Sequence, residues 1–242
     1  MQLIALALAP GIAICLYLFY KDIYNKEPRL NLVVSFALGG LAILPAIVLE
    51  RTFAYVIDGS LMGVAVFAYA VVAFSEEGSK FLGLRYYSYN QKSFDEPFDG
   101  IVYSVMVSMG FATVENVKYV VFDTQSVNVG LMRMFISVPA HATFAVVMGY
   151  FVGKAKMDRV NEKVLMGLGV LGAVFFHGTF DFLLFIKQMS YVGQNASEAL
   201  LFAGAVLSFI VAVVLSRRLI RAQLALSKTM FPEESVTTTG SV

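Results

Sequence analysis

The chain has 242 residues, of which 58% are hydrophobic and only 14% charged, and its mean hydropathy is +0.74. Soluble domains run near ~45–50% apolar and ~25% charged, so both departures exclude an ordinary soluble domain and point to a membrane protein. A formal charge of +1 gives no bulk attraction to nucleic acid, and a single cysteine, Cys15, excludes an intramolecular disulfide framework and a paired-cysteine zinc site.

The apolar residues fall in seven runs, near 3–20, 32–49, 60–87, 98–122, 133–153, 163–187 and 197–216. At ~1.5 Å per residue each crosses a hydrocarbon core about 30 Å thick, and the 60–87 run is too short to hold two spans. The expected fold is all-α: a polytopic bundle of about seven transmembrane helices forming one domain over 1–216. The first run has no basic residue before Lys21, so it reads as a retained span rather than a cleavable signal. With seven spans, one side of the membrane collects thirteen Lys and Arg, from Lys21 to Lys228, and the other only Arg51, Arg133 and Lys187. The positive-inside rule then sets the N-terminus outside and the C-terminus in the cytoplasm. Past Ser216, the basic amphipathic RRLIRAQLALSK suits an anionic inner leaflet, and the polar PEESVTTTGSV reads as disordered, which makes 217–242 a cytoplasmic segment and tail.

Ionisable groups within the runs carry the functional information, because each costs roughly 2.5–3.5 kcal/mol to insert at mid-membrane. The third run contains FSEEGSKFLGL, whose Lys80 lies i+4 from Glu76 and i+3 from Glu77 and can balance either carboxylate. The fourth ends in GFATVENVKYV, with Glu115, Asn116 and Tyr119; the fifth has His141 two residues after Pro139; the sixth has His177 and Asp181 at i, i+4. Asp181 is thereby placed to orient the His177 imidazole. Carboxylates and imidazoles converging in a membrane activate water, either as a bare Glu/His pair or around a divalent metal. HExxH and GxSxG are absent, and Cys15 has no polar neighbour in its run, so water attack is the remaining chemistry. His141, His177 and either Glu115 or Glu76 are candidate ligands of an open zinc site.

Four elements together, EExxK at Glu76, Glu77 and Lys80, FxxxEN at Phe111, Glu115 and Asn116, HxxxxxxxG at His141 and Gly149, and HxxxD at His177 and Asp181, resemble the PrsW family of bacterial intramembrane proteases. That family is distantly similar to the CAAX prenyl endopeptidase and bacteriocin-processing superfamily. The resemblance covers about residues 60–185 and makes the helices over about 60–187 the catalytic ones. It implies a multipass endopeptidase of the bacterial cytoplasmic membrane that makes the first, extracytoplasmic cut in a membrane-anchored anti-sigma factor. Glu76 and Glu77 would be its essential acid pair, Glu115, His141, His177 and Asp181 would complete the site, and Lys80, Asn116 and Tyr119 would support it. The family is catalogued as a metallopeptidase, whereas its distant relatives are argued to be glutamate-dependent without a tightly held metal, so zinc stays open.

Counting from the predicted helix ends, Glu115 and His177 lie about 20–26 Å from the cytoplasmic side and His141 about 12 Å from the other, with Glu76 nearer the midpoint. Competing functions are a proton- or ion-coupled transporter or channel, a seven-span receptor and a non-catalytic membrane scaffold. A transporter would be expected to show repeat symmetry, and none is visible in the sequence.

Overall fold

The computed structural model describes residues 2–191 and 193–231, so the expected disordered tail lies outside the described residues. Among the described residues, seven helical rods are long and apolar enough to cross a membrane, and there is no strand. The first rod is α1 (Gln2–Lys21), and the second joins α2 (Arg29–Leu41) to α3 (Ile43–Phe53). The third joins α4 (Leu61–Val66) to α5 (Phe74–Tyr86), and the fourth begins with α6 (Asp99–Val117). The fifth joins α7 (Val127–Met132) to α8 (Val138–Met157), and α9 (Glu162–Met189) and α10 (Glu198–Met230) complete the bundle. Each of the seven rods contains one of the seven apolar runs or nearly all of it, and the chain is a multipass membrane protein.

Proline chemistry explains where the rods bend. Pro45 has no N–H to offer the Leu41 carbonyl, and the second rod breaks at Ala42, whose N–H bonds both Leu38 and Gly39. In α1, Pro10 leaves the Leu6 carbonyl without its helical donor. The Asn116 amide reaches across from α6 and donates to the Ala7 carbonyl at 3.1 Å and, more weakly, to Leu6 at 3.4 Å. A helical defect thus becomes an interhelical bond, which is worth more in a site without water.

Wide π-helical turns occupy Phe67–Ala73, Lys118–Asp123 and Arg133–Ser137. Each contains or lies within four residues of a residue singled out above (Glu76, Tyr119 and His141 in turn), and such turns are frequent at functional sites. The third also corrects the predicted boundary of the fifth span. The Ser126 hydroxyl caps the helix by accepting from Val129 N–H, so the rod starts at Val127 rather than about 133. Arg133 is therefore inside a span, not in a loop, and His141 lies about 21 Å from that helix end instead of about 12 Å.

The centre of the bundle is α6. In its span 83% of the most apolar window is buried, against 17% for α10, which faces outward. Glycines let neighbours approach α6 closely, as small residues do between membrane helices. A Cβ on Gly110 would overlap the Phe36 carbonyl of α2, and one on Gly149 would overlap the Gly100 carbonyl across the α6–α8 contact. The basic stretch after Ser216 continues α10 without a break to Met230, and its buried Gln223 donates to the Tyr150 carbonyl of α8 at 2.8 Å.

Candidate active site

The first turn of α5 follows the Phe67–Ala73 π turn and presents Glu76 and Glu77, with Lys80 one turn later; all three are buried. Adjacent residues point about 100° apart on a helix, so the two glutamates face different surroundings. Glu77 points into protein. Its Oε1 lies 2.7 Å from Lys80 Nζ and 2.9 Å from His177 Nδ1, while its Oε2 is buried with no hydrogen-bond partner among the described residues. Glu76 faces a cavity and keeps one oxygen 3.1 Å from Lys80 Nζ.

Lys80 links the two halves of the site. Its ammonium also lies 3.2 Å from His141 Nδ1 and 4.1 Å from the centre of the Phe111 ring. An ammonium can only donate, so His141 Nδ1 accepts and the ring proton sits on Nε2. That proton points at Glu115 Oε2, 3.1 Å away. Glu115 also receives the Arg133 guanidinium at 2.7 Å. Arg133 in turn donates to Asn116 Oδ1 at 2.7 Å and stacks over the Tyr119 ring at 4.5 Å. Asn116 and Tyr119 therefore reach the cluster through Arg133, and the Asn116 amide donates to α1.

His177 sits between acids. Its Nδ1 faces Glu77, its Nε2 lies 3.2 Å from Asp181 Oδ2, and Glu76 Oε2 is 3.9 Å from the same nitrogen. With carboxylate oxygens at both nitrogens the arrangement suits a ring carrying both protons. Phe144 stacks on His177 at 5.1 Å, and His141 meets it edge-on at the same separation, which fixes the ring plane.

All six acid and imidazole residues predicted from sequence thus form one connected cluster drawn from α5, α6, α8 and α9. Two further residues escaped sequence reasoning. Arg133 was counted among loop charges, yet it is the cation of Glu115. Glu50, near the end of the second run beside Arg51, lines the same cavity as Glu115 and Asp181. Nothing but position distinguishes it from an interfacial charge.

The cavity measures ≈ 1240 Å³ and exposes Glu76, Glu115, His141, His177 and Asp181 on an otherwise largely apolar wall that includes Ile43, Ile47, Phe111 and Phe202. It extends to Lys187 and Glu198, at the turn between α9 and α10. Glu76, Glu77, His141 and His177 each offer one ligand atom, all within 4.8 Å of one another. Two imidazoles and two carboxylates are a donor set that zinc accepts, and among the described residues Glu77 Oε2 has no hydrogen-bond partner to give up for such a bond. The Lys80 ammonium now supplies the positive charge in that nest and would have to turn aside for a metal.

No solved structure matches the chain. Protease PrsW of Geobacillus kaustophilus is 35% identical over 77% of this chain and 81% of its own length. Protease PrsW of Clostridioides difficile is 34% identical over 77% and 81%, and that of Bacillus subtilis 34% over 75% and 82%. The family described as PrsW family intramembrane metalloprotease matches residues 27–216, a stretch that contains every member of the buried acid and imidazole cluster. On that match, and on the named proteases it resembles over most of their length, the chain is a membrane-embedded peptidase and belongs to the PrsW family.

Proposed function

We propose that this peptidase cuts a membrane-anchored protein of the anti-sigma factor type, at the extracytoplasmic side or in the outer half of its span, with Glu76 as the base that activates water. The carrying observation is the asymmetry of the acid pair: Glu76 lines the cavity, whereas Glu77 is fully buried and shared by Lys80 and His177. Glu76 takes a proton from water as the oxygen attacks the peptide carbonyl carbon, and that proton passes to the departing amine. The His177 imidazolium, at the cavity wall, stabilises the carbonyl oxygen electrostatically as it gains negative charge. Glu77 and Asp181 hold the ring in place for this from either side. A divalent metal, held by Glu76, Glu77, His141 and His177, would polarise the carbonyl and acidify water.

The cavity supports a cut on that side. By helix rise, Glu76, His141 and His177 lie about 18–22 Å from the helix ends at Leu61, Val127 and Met189, and Glu115 about 12 Å from Asp123. The cavity runs toward those ends, which the charge distribution assigns to the outside. A substrate helix unwinds most easily there, where freed backbone groups meet water.

Co-expression with an anti-sigma-type membrane protein should yield a clipped product whose new N-terminus, read by mass spectrometry, lies in the outer half of the span. A scissile bond in the cytoplasmic half would invert the orientation, and cleavage confined to soluble proteins would remove the substrate class. For the metal, elemental analysis of tag-free protein should find about one zinc per chain; undiminished activity after strong chelation, with no metal found, leaves the Glu76/His177 pair alone.

Asp181 touches only one side of His177, so Asp181→Asn should slow cleavage by about 10–100-fold, less than His177→Ala. The comparison is of initial rates on one substrate. A greater loss from Asp181→Asn would make Asp181 itself the proton carrier.

A further inference from the structure

A second buried acidic centre lies at the opposite end of α6. Asp22 follows α1, Glu96 and Asp99 flank the start of α6, and all three are fully buried, with ligand atoms within 4.8 Å of one another. Their hydrogen bonds leave a pattern. Asp22 Oδ2 accepts from Glu27 N–H, and Asp99 Oδ2 accepts from the Asp95 and Glu96 N–H groups, so one oxygen of each serves the backbone. Among the described residues the other, Asp22 Oδ1 and Asp99 Oδ1, has no hydrogen-bond partner, and neither oxygen of Glu96 has one. Glu27 adds a fourth carboxylate: its Oε2 takes the Tyr103 hydroxyl and its Oε1 is unpartnered.

A neutral group repeats the signal independently. Ser227, fully buried on the last turns of α10, faces Glu96, and among the described residues its hydroxyl has no partner at normal hydrogen-bond geometry. Among the described residues, no ion pair reaches Asp22, Glu27, Glu96 or Asp99. The nearby cations are turned elsewhere: Lys156 donates to the Tyr89 carbonyl and Lys26 lies over the Phe19 ring. Unpartnered buried carboxylates are costly, and a cation in their midst is the direct remedy.

We propose that Asp22, Glu96 and Asp99, with Glu27 beside them, bind a hard divalent cation, Mg²⁺ or Ca²⁺, that clasps the end of α1, the α5–α6 loop and the end of α10. The donors are all oxygens, with no imidazole or thiolate, which selects these ions over zinc. The site is separate from the catalytic cluster, since Asp99 and Glu115 stand about 24 Å apart along α6.

The test uses the full chain in detergent, stripped with EDTA and returned to buffers with MgCl2 or CaCl2, and follows thermal unfolding. At about 100 times the dissociation constant the unfolding equilibrium constant should fall about 100-fold, and the salt that acts at lower concentration identifies the ion. Glu96→Gln with Asp99→Asn should abolish the shift; if that pair fails to fold, Asp22→Asn alone makes the comparison. The shift should survive in Glu76→Gln with His177→Ala. Terbium emission sensitised through Tyr103 supplies a direct binding signal that should follow the same pattern. Stability indifferent to both salts, or a shift that persists without Asp22, Glu96 and Asp99 and vanishes without Glu76 and His177, would overturn the proposal.

Discussion

Replacing Glu76 with Gln should lower the cleavage rate by about 10²–10⁴-fold, the usual loss when a general base is removed, while leaving the protein folded. The amide keeps the size of the carboxylate and can still accept from Lys80, now at 3.1 Å, but it cannot take a proton from water. Unfolding should be close to wild type, because one buried charge disappears while Lys80 retains Glu77 at 2.7 Å. Glu77→Gln should behave differently. It removes the charge that both Lys80 and His177 face, so its loss of activity should come with a lower unfolding temperature. His177→Ala should abolish cleavage as well. Measuring product formation and thermal unfolding on the same membranes separates the two kinds of loss. Full activity in Glu76→Gln would end the assignment of Glu76 as base, and an unfolded Glu76→Gln with a stable Glu77→Gln would exchange the roles of the pair.

Much of the fold is legible in the sequence because the bilayer enforces it. A run of about 20 apolar residues has to be a helix, since no other segment satisfies its backbone without water. The residues of the cluster stand out for the same reason: Glu76, Glu77, His141, His177 and Asp181 are costly where they are. What pairs with what is a different matter, because partners come from other helices. Arg133 illustrates the limit. Its charge suggested a loop, whereas the Ser126 cap starts the helix earlier and a salt bridge to Glu115 makes the buried guanidinium tolerable. Glu50 sits beside Arg51 and reads as interfacial until α3 is packed against the cavity. The i,i+4 spacing of Glu76 and Lys80 suggested their bond, but nothing local pointed to the contact of Lys80 with His141, which is 61 residues away. The unexpected depth of His141 has the same source, since a helix end set by a single serine cap moves every depth counted from it.

Lys80→Met should be the most destabilising single change in the site, by about 3–5 kcal/mol, the range for removing one partner of a buried ion pair. Methionine keeps the length of the stem but removes the buried ammonium that now meets Glu77 at 2.7 Å, Glu76 at 3.1 Å and His141 at 3.2 Å. Two carboxylates then share only the His177 ring, and the acceptor lone pair on His141 Nδ1 is left empty. Lysine→arginine should not restore the site, because a planar fork cannot replace a point charge that contacts three groups in different directions. The double variant Lys80→Met with Glu77→Gln tests the electrostatic cause. It removes the cation together with its closest anion, so it should unfold at a higher temperature than Lys80→Met alone, with a coupling between the two changes of about 0.5–3 kcal/mol. Thermal unfolding of the four proteins in one detergent provides the cycle. Equal destabilisation by Lys80→Met with and without Glu77→Gln would mean that lysine is needed for its packing on Phe111 rather than for its charge. A fully stable Lys80→Met would mean that the two glutamates are already neutralised without it, and Glu76 could then no longer serve as the ready base.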